Sequence, residues 1–111
     1  MTRFAAVVLA LALLWVLSRL SLAEMPEASG FSADQIRSGA AIFARNCSPC
    51  HGAHMADPQG AFDLRRFPHD QHARFVGSVT EGKNSMPPWR GLLKPEEIEA
   101  LWAYVVAGET R

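Results

Sequence analysis

Cys47, Ser48, Pro49, Cys50 and His51 are the residues of this 111-residue chain whose types and spacing bear most directly on chemistry. Two thiols separated by two residues, with an imidazole directly after the second, suit covalent attachment of a haem. Each sulfur forms a thioether with one of the two former vinyl groups on one side of the porphyrin. The two intervening residues let both sulfurs reach that edge, and the histidine that follows can turn its ring beneath the iron. With Nε2 on the iron, Nδ1–H is left to donate to a backbone carbonyl, which fixes the ring and increases its basicity. Pro58 is a candidate for that carbonyl. Two other chemistries use similar residues. A thioredoxin-like redox pair wants a strand before it and a βαβ surround, and a structural zinc site wants two further cysteines or histidines at regular spacing. The sequence offers neither context.

A haem iron held by His51 has a sixth position, and elimination narrows what fills it. His54 and Met55 lie within four residues of His51, too close for the chain to carry either around the ring. Met25 lies in a polar linker. His69, His72 and Met86 remain. Met86 is followed by Pro87 and Pro88, which bias it towards extended backbone and stiffen the segment that presents it. Methionine paired with histidine is also a recurrent haem ligand set, so Met86 is the favoured ligand. His69 and His72, three apart, are the alternatives, and otherwise read as exposed side chains.

The elements that must position these residues read as helices. Ser32 can accept a bond from the Gln35 amide, with the Gln35 side chain returning one, to open a helix carrying Ile36, Ala40 and Phe43 at helical spacing. Pro49 disfavours helical geometry at Ser48, so that helix should end near Cys47. A second helix is expected over Asp70 to Glu81, with Phe75, Val76 and Val79 on one face and Gly82 as its stop. The last has Pro95 in its first turn, Glu96 and Glu97 at the positive end of its dipole, an apolar stripe of Ile98, Leu101, Trp102 and Val105, and Gly108 at its close. No segment alternates as a strand would, and no repeat is present.

At the amino terminus, a basic start is followed by an unbroken apolar run of 14 residues from Phe4 to Leu17 and by Ser21-Leu22-Ala23, which has small side chains where a signal peptidase inspects them. Residues 1–23 therefore read as a cleavable export signal and 24–31 as a linker. The rival is an uncleaved membrane anchor, although the run is short of the ~20 residues a span needs. Cleavage would leave 88 residues. A domain that small buries little more than ~60% of its unfolded surface, and a large apolar cofactor would supplement its core. The exported part has nine basic and eleven acidic residues. That balance gives no footprint for nucleic acid.

Over residues 32–108, the chain resembles the class I cytochromes c in Cys47-Ser48-Pro49-Cys50-His51, in Met86-Pro87-Pro88-Trp89, and in a last helix ending Leu101-Trp102-Ala103-Tyr104-Val105. The resemblance implies an all-α fold over 32–111, three to four helices around one covalent haem c, with Cys47 and Cys50 as attachment points and His51 and Met86 as iron ligands. It also implies that the first and last helices cross at Gly39, with Phe43 and Tyr104 beside the crossing. Asp63-Leu64-Arg65-Arg66-Phe67-Pro68-His69-Asp70 and Ser78-Val79-Thr80-Glu81-Gly82-Lys83 look like small periplasmic cytochromes that serve quinoprotein alcohol dehydrogenases. The function implied is one-electron transfer in the periplasm, from a dehydrogenase to a terminal oxidase or second cytochrome, with no enzymatic activity. The rivals are a haem subunit of a larger dehydrogenase and a haem enzyme or gas sensor with an open sixth position. Two departures stand out. Lys94 has no acceptor with which to cap the last helix, and His54 puts an extra imidazole near the attachment site.

Overall fold

The computed structural model describes residues 2–19 and 30–108. Among them are five α-helices: α1 (Thr2–Arg19), α2 (Ala33–Asn46), α3 (Ser48–His51), α4 (His72–Glu81) and α5 (Pro95–Ala107). Short 3-10 turns at Ala53–Met55 and Leu64–Arg66 join α3 to α4, and no strand forms among the described residues. The all-helical expectation holds. In α1 every side chain from Arg3 to Trp15 is exposed. Among the described residues no helix is long and apolar enough to cross a membrane. The expected cleavage site, Ser21 to Ala23, and most of the expected linker lie outside the described residues.

α2 begins where Ser32 accepts the Gln35 N–H at 3.0 Å, and ends at Cys47, whose N–H donates to the Phe43 carbonyl at 2.8 Å. It packs across α5, the element that supplies most of the core. Ile98, Ala100, Leu101, Trp102, Ala103, Tyr104 and Val105 of α5 are all buried, against Ile42 and Phe43 of α2. The two helices touch at Gly39. A β-carbon there would lie 1.9 Å from the Ala100 carbonyl oxygen and 2.9 Å from Tyr104 Cβ, so only glycine permits the approach. The Phe43 and Tyr104 rings sit beside it with centroids 5.3 Å apart, as the resemblance implied.

α4 starts two residues later than its sequence pattern suggests. Gln71 is tied back by its N–H to the Pro68 carbonyl at 3.2 Å, which makes Asp70 and Gln71 part of a turn. The helix meets α5 through an aromatic cluster in which Trp102 lies edge-on to Phe67 and tilted against Phe75, with centroids 6.0 and 5.2 Å away. Such pairs add ~0.5–1.5 kcal/mol each to their area burial. The N-terminus of α5 is capped from inside the helix. Lys94, with only donors on its side chain, contributes its backbone N–H, which donates to Glu97 Oε1 at 3.0 Å.

Candidate haem attachment site

Cys47, Cys50 and His51 are brought together by α3, one turn of helix that follows α2 almost without a break. The N–H groups of Cys50 and His51 both donate to the Cys47 carbonyl, at 3.2 and 2.9 Å. Neither cysteine is in a disulfide. Cys47 is half-buried against the core, and burial, with the Cys50 charge as a lesser cause, pushes its thiol up to about 11. Gly52 closes the turn at φ 83°, where a β-carbon would fall 1.6 Å from the Ala56 carbonyl oxygen. The chain then doubles back, so that the Gln59 N–H reaches the Cys50 carbonyl at 2.9 Å. His54, Met55 and Asp57 all take positive φ in this reversal, and Met55 is fully buried in the core. In sequence Met55 draws notice only as a thioether near His51. Its burial belongs to the tertiary fold and has no local signal.

The His51 ring is oriented by a carbonyl, but not by that of Pro58. Pro58 accepts the Gly60 N–H at 2.9 Å, and His51 Nδ1 instead lies 3.1 Å from the Phe62 carbonyl oxygen. A carbonyl can only accept, so this bond places the proton on Nδ1 and leaves the Nε2 lone pair for a metal. The acceptor is held next to a small cap, in which Asp63 Oδ1 accepts the Arg65 N–H at 3.1 Å and the Arg65 guanidinium pairs with the same carboxylate at 3.2 Å. That guanidinium holds the Asp63 carboxyl below its ordinary value.

Met86 sits at the end of a tight turn in which it exchanges backbone hydrogen bonds with Lys83, at 2.9 and 3.1 Å, with Asn84 at φ 54°. Its side chain is half-buried, as is Trp89. Of the alternatives, His72 is engaged elsewhere: its Nε2 lies 2.9 Å from Glu99 Oε2, and its ring stacks edge-on to Trp102 with centroids 5.4 Å apart. His69 is exposed. Among the described residues, no group of three histidine, cysteine or acidic side chains gathers to hold a metal ion unaided.

The donor set suits a haem c. Two free thiols flank the start of α3, an imidazole with an available Nε2 follows them, and a thioether is presented by a braced turn. Leu64, Val76, Val79 and Leu93 pack on the core but are only partly covered, and Phe62 is half exposed. These are apolar surfaces that a porphyrin would remove from water, at roughly 25 cal/mol per Å².

Comparison with known proteins agrees with this chemistry. A family model described as cytochrome c oxidase, cbb3-type, subunit III matches residues 34–105. A cytochrome c6 of Nostoc sp. is 39% identical over 80 residues, covering 68% of this chain and 71% of the relative. The cbb3-type cytochrome c oxidase subunit FixP of Bradyrhizobium sp. is 36% identical over 92 residues, 77% of this chain and 30% of the relative. The quinohemoprotein alcohol dehydrogenase ADH-IIG of Pseudomonas putida is 28% identical over 83 residues, 73% of this chain and 12% of that protein. No solved structure gave a significant match.

Proposed function

The chain belongs to the cytochrome c family, and from that premise we propose that it is a periplasmic one-electron carrier whose haem c is attached through Cys47 and Cys50 and ligated by His51 and Met86. The cytochrome c6 relatives support that reading, a small c-type electron carrier with one covalent haem rather than an enzyme. When bound, the haem supplies a metal centre that gains and loses one electron. The protein's own residues hold that centre in place, keep water from most of it and bias its two oxidation states.

The ligand assignment rests above all on His51, whose bond to the Phe62 carbonyl fixes the tautomer that a metal-binding imidazole needs. Met86 is supported by its braced turn and by the engagement of His72 with Glu99. A thioether ligand gives ferric protein a weak near-infrared sulfur-to-iron charge-transfer band, which histidine alternatives do not produce. The native protein is expected to show this band and to bind no carbon monoxide when reduced. Met86→Ala should lose the band and gain carbon monoxide binding, while keeping its covalent haem. Retention of the band in Met86→Ala would overturn the assignment, and carbon monoxide binding by the native protein would favour the sensor or enzyme reading.

Export through residues 1–23 accounts for the apolar start and its exposed side chains. The mature chain is expected to begin at Glu24, and a mass spectrum retaining residues 1–23 would refute cleavage. A dehydrogenase donor and an oxidase acceptor are supported by the two larger relatives, named as an alcohol dehydrogenase and an oxidase subunit, parts of which this chain resembles. Gel filtration of a periplasmic extract, followed at the haem absorbance, separates a small free carrier from a fixed subunit.

A further inference from the structure

The loop carrying Met86 is sewn to the end of α4 at several points. Beyond the Lys83–Met86 exchange, the Trp89 N–H donates to the Val79 carbonyl at 2.9 Å and the Arg90 N–H to the Thr80 carbonyl at 3.1 Å. Both acceptors lie in the last turn of α4, where a helix leaves its final carbonyls without partners, and the loop supplies the donors. At the junction stands Gly82, with φ 77° and ψ 166°, a region open essentially to glycine alone. A β-carbon on it would lie 2.7 Å from the Met86 carbonyl oxygen, 2.9 Å from Pro88 N and 3.1 Å from Pro87 C. All three obstructing atoms are backbone, and two belong to prolines, so none can swing aside as a side chain would. On the outside, the Arg90 guanidinium pairs with the Glu81 carboxylate across the same junction.

We propose that Gly82 and the Glu81–Arg90 pair are positioning residues for the Met86 thioether, holding residues 83–90 against the end of α4 and so setting how rarely Met86 leaves the iron. The inference rests on the reading of Met86 as an axial ligand. Gly82 carries the larger share, because the ion pair is 68% and 60% exposed and solvent weakens it. Neither contact touches the iron, and both act only through where the loop can lie.

Imidazole as an added ligand measures this directly. It competes with the methionine for ferric iron, and its apparent affinity rises in proportion to the population that has released Met86. In haem-loaded protein, Gly82→Ala is expected to bind imidazole about tenfold more tightly, the factor expected of forcing a β-carbon into this glycine-only backbone region before any collision is added. Its charge-transfer band should weaken and its reduction potential fall only by as much as the released population grows. Gly30→Ala is the control: Gly30 also has positive φ, at 75°, and its β-carbon would meet nothing within 4 Å, but it precedes α2 and carries its strain outside the Met86 loop. It should leave imidazole affinity and the band unchanged. Glu81→Lys should tighten imidazole binding roughly threefold, and Glu81→Lys with Arg90→Glu should restore the native value. Native affinity and an intact band in Gly82→Ala would overturn the proposal. Where Gly82→Ala yields no haem-loaded protein, the charge reversal decides, and either no tightening or no restoration overturns it. Met86→Ala run alongside separates the two ideas. A band that survives in Met86→Ala refutes the ligand, whereas a band lost there with no response in Gly82→Ala refutes only the positioning role.

Discussion

His51 is held by a backbone atom and Met86 by a backbone turn, so at the scale of single residues the two proposed ligands can be exchanged while their supports stay in place. A thioether is a softer and weaker donor than imidazole and favours ferrous iron. Met86→His is therefore expected to lower the reduction potential by an appreciable part of the ~0.8 V over which axial ligands tune haem proteins. Electrochemical titration checks it, and an unchanged potential would count against Met86. Asp63 gives a second prediction. Its carboxyl lies below the ordinary aspartate value of 3.8, chiefly through the Arg65 hydrogen bond. The stability it contributes is therefore present above pH 3.8 and lost as pH falls through the lower folded value. Asp63→Asn keeps a capping oxygen without the charge, so its thermal stability should fall less steeply than the native protein's below about pH 4. The grouping of Cys47, Cys50 and His51 on one turn is legible in their spacing alone. The Phe62 carbonyl was not legible, because which carbonyl reaches Nδ1 depends on how the positive-φ reversal at His54, Met55 and Asp57 folds, and no side chain advertises that.

The helices are each specified locally but meet at glycines, and there the tertiary contact sets the cost of a substitution. Gly39→Ala would gain ~1 kcal/mol of helix propensity. It would also press a methyl into the Ala100 carbonyl 1.9 Å away, and overpacking typically costs ~1–3 kcal/mol. The clash is expected to win. The variant should be less stable to denaturant by up to about 2 kcal/mol, and a stability gain would show that the crossing can relax. At the start of α5, Glu97→Ala should cost about 1 kcal/mol, since it removes the acceptor for the Lys94 N–H. Lys94→Ser should recover part of that by supplying a cap of its own. Sequence reading found the Gly39 crossing by resemblance and the start of α2 by its capping residues. Lys94 reads as a poor helix start because its own side chain offers no acceptor, whereas the acceptor is Glu97, three residues later, where a carboxylate also suits the helix dipole. Gly82 was legible as a helix stop. Its second role, making room for Met86, Pro87 and Pro88, exists only once the loop folds back.

Over the whole molecule, charge is unevenly spread. Residues 65–94 carry six basic and two acidic side chains, whereas 24–64 and 95–111 each have a net charge of −3. Folding reduces how much of that basic excess faces outward unopposed. Arg65 is paired with Asp63 and Arg90 with Glu81, while Arg74 hydrogen-bonds Gln71 and lies over the Phe67 ring. Among the described residues, the side chains of Arg66, Lys83 and Lys94 are exposed and outside any ion pair. Lys83 is bonded through its backbone to Met86, so its charge belongs to the Met86 turn. The segment bearing Met86 should then attract anions despite the negative charge of residues 24–64 and 95–111. Small redox reagents of opposite charge test this without knowledge of the natural partner. Oxidation of ferrous protein by an anionic metal complex should slow as salt rises, because the Debye length shrinks to ~8 Å near physiological ionic strength. Oxidation by a cationic complex should not slow. Lys83→Glu changes the local charge by two. At a separation of ~10 Å in water, with screening, that amounts to a factor of about three for a trivalent anion. Arg90→Gln, which removes a cation already opposed by Glu81, should change the anionic rate less. Equal responses from Lys83 and Arg90, or an anionic rate indifferent to salt, would mean that electrons leave by another face.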